Sequence, residues 1–179
     1  HDPDGVMIGE IRDKETAETA VQASLTGHLV LSTLHTNDAA GATTRLLDMG
    51  VEPFLVSSSV EGIMAQRLVR RLCVECKESH VPEHADLPED FPRELTAGLM
   101  RSRGCRACRQ SGFRGRIGVY ELLALDETTR EMIMQRRSAP QIAARAMADG
   151  KLSTLRADGY TKAGAGLTSI AEVVQALAG

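Results

Sequence analysis

Four cysteines stand in two pairs, Cys73-x2-Cys76 and Cys105-x2-Cys108, with 28 residues between the pairs. Each pair can present two thiolates from one tight turn, and two such turns complete a tetrahedron around a soft divalent ion. The spacing predicts a four-thiolate zinc site that is closed, hence structural rather than catalytic. Two disulfides or reduced core thiols would use the same residues. The polar, acidic start His1-Asp2-Pro3-Asp4 does not read as a secretory signal, which weighs against disulfides. His80 and His84 lie between the pairs and could replace a thiolate, although four sulfurs already fill a structural zinc site. The metal would fix an excursion that has no core of its own, with a binding energy on the order of 10 kcal/mol.

A second set of residues could act on phosphate. Val6-Met7-Ile8 is a short apolar run that leads into Gly9-Glu10. In parallel α/β folds ligands bind at the carboxyl ends of strands. A carboxylate there can polarise a water against a phosphate, or hold Mg2+ through a water; the bland alternative is an acidic helix-capping turn. His35 also closes an apolar run, His28-Leu29-Val30-Leu31-Ser32-Thr33-Leu34-His35. If the two strands are neighbours, His35 lies near Glu10 and can sense a γ-phosphate; otherwise it is a satisfied buried histidine.

The elements that must position these groups are legible. Asp13 reads as the cap of a helix that stops near Gly27, with Glu15 and Glu18 in its first turns. The run at 28–35 suits a central strand of a parallel sheet. Asn37 or Asp38 caps the next helix, which ends at Met49-Gly50. Strand, helix, strand, helix within about 50 residues is a βαβ pattern. Val60, Ile63, Met64, Leu68 and Leu72 fall near a 3.6 period and predict a third helix over 57–72. Residues 73–112 change in composition and read as an inserted module. Residues 116–125 return to a strand pattern, and helices are predicted at about 126–137, 140–149, 151–163 and 168–178, with Pro140 at a first helical position and Ser169-x-x-Glu172 as a capping box.

Composition limits the function classes. The chain has 179 residues, 42% of them hydrophobic, a net charge of −3, 3% aromatics and no tryptophan. No apolar run reaches the length of about 18 residues that a membrane-spanning helix requires. The small negative charge argues against a general nucleic-acid binder. Arg101, Arg103, Arg106, Arg109, Arg114 and Arg116 make one region locally basic. A zinc ribbon for nucleic acid is therefore a competing reading, weakened by the scarcity of aromatics to stack on bases.

Several stretches together resemble the secretion-superfamily ATPases. Asp2-Pro3-Asp4 with Gly9-Glu10-Ile11-Arg12-Asp13 looks like their Walker B box, and residues 26–37 resemble their histidine box. Ala65-Gln66-Arg67-Leu68 before the first cysteine pair is also similar. So are Gly115-Arg116-x-Gly118-Val119-Tyr120-Glu121 and Thr154-Leu155-Arg156-x-Asp158-Gly159 with Gly166-Leu167-Thr168. The likeness runs in order over essentially the whole chain. It points to the type II secretion ATPase and its relative, the type IV pilus assembly ATPase. The cysteine tetrad argues against the pilus retraction branch, and residues 49–54 with Ser57-Ser58-Ser59 tilt the reading toward secretion.

The resemblance implies an α/β fold: a partial RecA-like parallel-sheet core (1–72), an inserted tetracysteine zinc module (73–112), and a return strand with a C-terminal helical subdomain (113–179). It implies Glu10 and His35 as catalytic residues, His28 and Arg67 as nucleotide-binding, and Cys73, Cys76, Cys105 and Cys108 as metal ligands. ATP with Mg2+ and structural Zn2+ follow as cofactors. The implied partners are a homo-hexamer and inner-membrane secretion platform proteins, with no nucleic acid, at the cytoplasmic side of the bacterial inner membrane. The implied function is ATP hydrolysis powering type II secretion; the alternatives are pilus assembly or a zinc-stabilised binding module without ATPase activity. The chain departs from the family pattern in two respects: Gly5 stands at a position that is usually apolar in the family, and G-x4-G-K-[ST] is absent, since Gly150-Lys151 is followed by Leu152 and position 145 is Arg. The phosphate loop is expected upstream, the chain reads as a piece of a longer protein, and alone it is expected to be inactive.

Overall fold

A computed structural model describes residues 4–83 and 87–178. Asp2 and Pro3 of the acidic box, and His84, lie outside the described residues. The chain packs into two compact units, His1–Ala65 with Leu122–Leu152 and Gln66–Glu121 with Ser153–Gly179. The segment boundaries read from composition, 72/73 and 112/113, fall within the second unit.

The first unit opens with β1 (Gly5–Ile8), α1 (Lys14–Leu25), β2 (Leu29–Ser32), α2 (Ala39–Asp48) and α3 (Pro53–Ser59). β1 and β2 are parallel neighbours, with Gly5 opposite Leu29 and Ile8 opposite Ser32. Asp13 caps α1 by accepting the Thr16 N–H at 2.8 Å, and that bond holds its carboxyl below the usual range. Asp38, of the two candidates, caps α2 through the Gly41 N–H at 2.6 Å. Gly50 leaves α2 at φ 88°, a left-handed turn that glycine makes without strain. The core joins Val21, Leu46, Leu47, Val51 and Val56 to Leu123, Ile133 and Ile142. The last two come from α4 (Glu127–Met134) and α5 (Ala139–Ala148).

Two expectations fail in this unit. The apolar strands are not buried on both sides: Met7 is 80% exposed, Leu29 65% and Leu31 55%. Alternate strand residues share a face, so these three form one bare apolar surface on the β1–β2 pair. The helix over 57–72 is also wrong. The hydroxyls of Ser57, Ser58 and Ser59 bond back to the Phe54 and Leu55 carbonyls at the end of α3, Val60 is extended, and residues Gly62–Leu72 form strand β3. Met64 and Leu68 are exposed while Leu72 is buried, so the supposed helical stripe is not one continuous buried face. Pairing with β6 (Phe113–Ala124) decides the matter. The Leu125 N–H donates to the Glu61 carbonyl at one end, and the Cys73 N–H to the Gly112 carbonyl at the other, which makes the strands antiparallel. The short β7 (Leu152–Ser153) completes a sheet of order β3-β6-β7.

The second unit holds the cysteines. β4 (Lys77–Ser79) pairs antiparallel with β5 (Met100–Ser102), and a 3-10 turn spans Arg93–Gly98. α6 (Leu155–Gly164) and α7 (Ile170–Leu177) complete it. The helix expected from 151 starts only at Leu155, because 152–153 are in β7 and Thr154 caps the Ala157 N–H at 3.2 Å. The inserted segment has no core of its own, but it is anchored by one shared with α6 and α7. Phe91 and Leu99 are each 3% exposed and pack with Tyr160, Ala163 and Val173. Phe91 meets Tyr160 edge-on at 5.0 Å. Asp90 accepts from the Tyr160 hydroxyl and from Arg156, each at 3.0 Å. At α7 only half of the capping box forms: Ser169 accepts the Glu172 N–H. The Glu172 carboxylate turns instead to Arg70, whose Nε donates at 2.8 Å and whose Nη2 also contacts it. The full capping box occurs at Ser138 and Gln141, where Pro140 lies in the first turn of α5.

Candidate functional site

In the first unit the parallel pairing brings Glu10 and His35 together. The ladder extends past β1 through the Ile11 N–H to the Thr33 carbonyl at 2.9 Å. The Thr33 hydroxyl donates to the Gly9 carbonyl at 2.7 Å, which pins the residue before Glu10. Glu10 and His35 thereby leave the same end of adjacent strands, and His35 Nε2 stands 2.7 Å from Glu10 Oε1. The His35 side chain is 87% exposed and that of Glu10 20%; His35 is not the buried histidine of the alternative reading. Oε1 is closed off from solvent yet makes no hydrogen bond, so His35 Nε2 is within ion-pair range but off the line that a hydrogen bond requires. Oε2 accepts from Arg12 Nε at 2.5 Å.

One carboxylate oxygen is therefore held by a guanidinium and the other is an acceptor without a donor. Buried acceptors are nearly always satisfied. An exception between two basic side chains at a strand's carboxyl end can orient a water or take a proton. Arg12 was missed as a site residue, although its i+2 spacing from Glu10 was visible in the sequence. His28 does not join this pair. It precedes β2 while His35 follows it, a separation of roughly 20 Å along an extended chain. Its Nδ1 lies 3.1 Å from Thr26 Oγ1 and 3.2 Å from the Ala23 carbonyl, at the end of α1. Arg67 lies on β3 in the second unit, where its Nη1 reaches the Gln66 carbonyl at 3.4 Å.

In the second unit the four cysteines converge, with ligand atoms all within 4.8 Å of one another and, among the described residues, no histidine or carboxylate with them. Cys73 and Cys105 sulfurs are 3.9 Å apart, Cys76 and Cys108 3.9 Å, and Cys105 and Cys108 3.7 Å. A metal–thiolate bond of about 2.3 Å puts tetrahedral edges at about 3.8 Å. The sulfur positions fit such an ion, and these four residues could hold a metal. The knuckles follow from backbone geometry: Gly104 and Gly112 have φ of 85° and 76°, and Arg109 and Gln110 also adopt positive φ. A Cβ at Gly104 would sit 2.8 Å from the Gln110 carbonyl oxygen. Burial pushes the Cys108 thiol up, but N–H bonds from Cys105 and Gly112 outweigh it and bring it down to about 6. Burial drives Cys76 up to about 12. His80 is not in the cluster; its N–H bonds the Leu99 carbonyl. Of the basic residues nearby, Arg101 and Arg103 are both paired with Glu78 at 2.9 Å.

The chain is similar to known proteins. The chain is 52% identical over 177 residues to type II secretion system protein E of Pseudomonas aeruginosa, covering 97% of this chain and 34% of that protein. It is 50% identical over 178 residues to type II secretion system ATPase E of Vibrio cholerae, with the same shares. It is 48% identical over 177 residues to type IV pilus assembly ATPase PilB of Myxococcus xanthus, covering 97% and 31%. The chain thus spans about a third of the length of these relatives. Among solved structures, the ATPase DotB of Yersinia pseudotuberculosis aligns with a TM-score of 0.66 at 19% identity, over 98% of this chain and 37% of that one. The pilus retraction motor PilT with bound ADP aligns with a TM-score of 0.64 at 25% identity, over 98% and 40%. Among the described residues no helix is long and apolar enough to cross a membrane. The model of the family described as type II/IV secretion system protein matches residues 1–175, nearly the full length of the chain, and the chain belongs to that family.

Proposed function

We propose that this chain is part of a hexameric ATPase that powers type II protein secretion, and that Glu10 is the carboxylate that activates the attacking water. The observation that carries the reading is Glu10 Oε1, enclosed and without a hydrogen bond beside His35. In this role Oε1 takes a proton of the water, Arg12 fixes the carboxylate through Oε2, and the exposed His35 reaches toward the γ-phosphate. Mg2+ bound with ATP would neutralise charge on the phosphates. His28 and Arg67 are assigned to nucleotide binding on the family pattern alone. The bare face of Met7, Leu29 and Leu31 suits a sheet whose further elements lie elsewhere in a RecA-like core.

The reading continues outward from that core. The four cysteines hold structural Zn2+ in a module spanning 73–112, and residues 113–179 form the return strand and helical subdomain. The whole protein acts at the cytoplasmic face of the inner membrane on secretion platform proteins. The 179 residues alone, with no G-x4-G-K-[ST], are inactive. Relatives named for secretion and for pilus assembly differ by only a few per cent in identity, which keeps pilus assembly as the second reading.

The test is Glu10→Gln in the complete protein. Loss of a positioned base is worth about 10²- to 10⁴-fold in kcat, with nucleotide affinity largely retained. Wild-type turnover in that variant removes Glu10 from the base role.

A further inference from the structure

Three of the four cysteines are shielded: Cys73 is 1% exposed, Cys108 6% and Cys76 8%. Cys105 is the half-buried member. Cys108 Sγ is cushioned by two main-chain donors, the N–H groups of Cys105 at 3.1 Å and of Gly112 at 3.3 Å, and Cys76 by that of Gly104. A thiolate that accepts N–H bonds has its electron pairs engaged and its nucleophilicity lowered. Of the four cysteines, Cys105 alone is not enclosed. Its surroundings are electropositive: Arg106 and Arg109 are exposed on the same knuckle, and neither has an acidic partner among the described residues. Cationic neighbours of this kind mark reactive thiolates.

We propose that Cys105 is an oxidant-modification site, and that peroxide acting there opens the metal site by joining Cys105 to Cys108. The inference rests on the four cysteines holding a metal. The Cys105 sulfur attacks one oxygen of hydrogen peroxide. The O–O bond breaks, hydroxide leaves and takes up a proton, and Cys105 becomes a sulfenic acid. Cys108 Sγ, 3.7 Å away, then attacks the Cys105 sulfur; the S–O bond breaks and a second water departs. Two thiolates lose two electrons in all, one peroxide is reduced to two waters, and the metal loses two of its four ligands.

The experiment uses the complete zinc-loaded protein. Metal content is measured first, limiting hydrogen peroxide is added, release is followed with a chromophoric chelator, and modified cysteines are mapped by peptide mass spectrometry after alkylation. The expected result is a first disulfide between Cys105 and Cys108, formed in step with metal release. Limiting N-ethylmaleimide on the untreated protein should label Cys105 before the other three, a readout that needs no variant. Cys105→Ser should hold less metal, through three sulfurs, and the fraction it retains should be released by peroxide about an order of magnitude more slowly. A first disulfide between Cys73 and Cys76, equal labelling of all four cysteines, or unchanged release from Cys105→Ser would overturn the proposal. Protein that carries no stoichiometric metal at the outset would overturn the metal reading and this inference with it.

Discussion

Replacing Phe91 by alanine tests whether packing, and not sulfur alone, holds the cysteine module. Phe91 is 3% exposed within a cluster of Leu99, Tyr160, Ala163 and Val173, and its ring meets Tyr160 at 5.0 Å with an interplanar angle of 65°. Truncating a buried phenylalanine costs about 3–5 kcal/mol through lost transfer energy and the cavity left behind. The edge-on ring contact supplies about 0.5–1.5 kcal/mol of that. The neighbouring Asp90 bonds to Tyr160 and Arg156 limit how far the site can collapse, so the loss should be 3 kcal/mol or more, roughly a 6–12 °C fall in Tm for a chain of this size. The assay is urea unfolding of the metal-loaded protein for wild type, Phe91→Ala, Tyr160→Leu and the double variant, with amide exchange followed over residues 88–99. The cycle should return a coupling of about 0.5–1.5 kcal/mol, and protection over 88–99 should fall while metal content stays at wild type. A loss below about 0.5 kcal/mol, within the range of a surface substitution, would refute the reasoning. The metal would then be the sole anchor, as the composition of the segment alone suggests.

Other perturbations separate the remaining contacts. Glu172→Gln should destabilise the protein by about 1–2 kcal/mol at neutral pH: the bond to Arg70 is charge-assisted, but Arg70 is half exposed and partly screened. The Arg70 bond holds the Glu172 carboxyl below its ordinary value, so its contribution is complete above that ordinary value and lost as pH falls through the lower folded-state value. The gap between wild type and variant should therefore be flat from neutrality to about pH 5 and narrow only below it, as denaturant titrations at several pH values will check. Cys73→Ser should reduce metal content and loosen residues 73–80 and 103–112 in hydrogen exchange while the Phe91 cluster keeps its protection; full metal stoichiometry would remove Cys73 from the ligand set. Arg12→Ala in the complete protein should lower kcat, though by less than Glu10→Gln, since Oε2 would lose its donor while Oε1 would remain; an unchanged kcat would mean that the 2.5 Å contact does not position the base.

Local chemistry and spacing were enough for much of this protein. The cysteine pairs, the caps at Asp13 and Asp38, the exit at Gly50 and the parallel strands ending in Glu10 and His35 each depend on residues close in sequence or on one strand pairing, and all were legible. What depended on distant partners was not. The periodicity of residues 60–72 fits a helix as well as a strand, and hydrogen bonds from the Leu125 N–H to Glu61 and from the Cys73 N–H to Gly112 selected the strand. Phe91 and Leu99 carry no periodic signal, and only the later arrival of Tyr160 and Val173 makes them a core. The Glu172 side chain could have closed its own capping box, but a guanidinium more than a hundred positions earlier in the chain offered a charged partner that the Ser169 backbone N–H does not match. The placement of Arg12 on Glu10, and the exposure that sets Cys105 apart from its three partners, likewise arise from folded geometry. Sequence determined which groups could do chemistry; tertiary structure decided which oxygen and which sulfur are left free to do it, because access and hydrogen bonding are properties of neighbours and not of residue type.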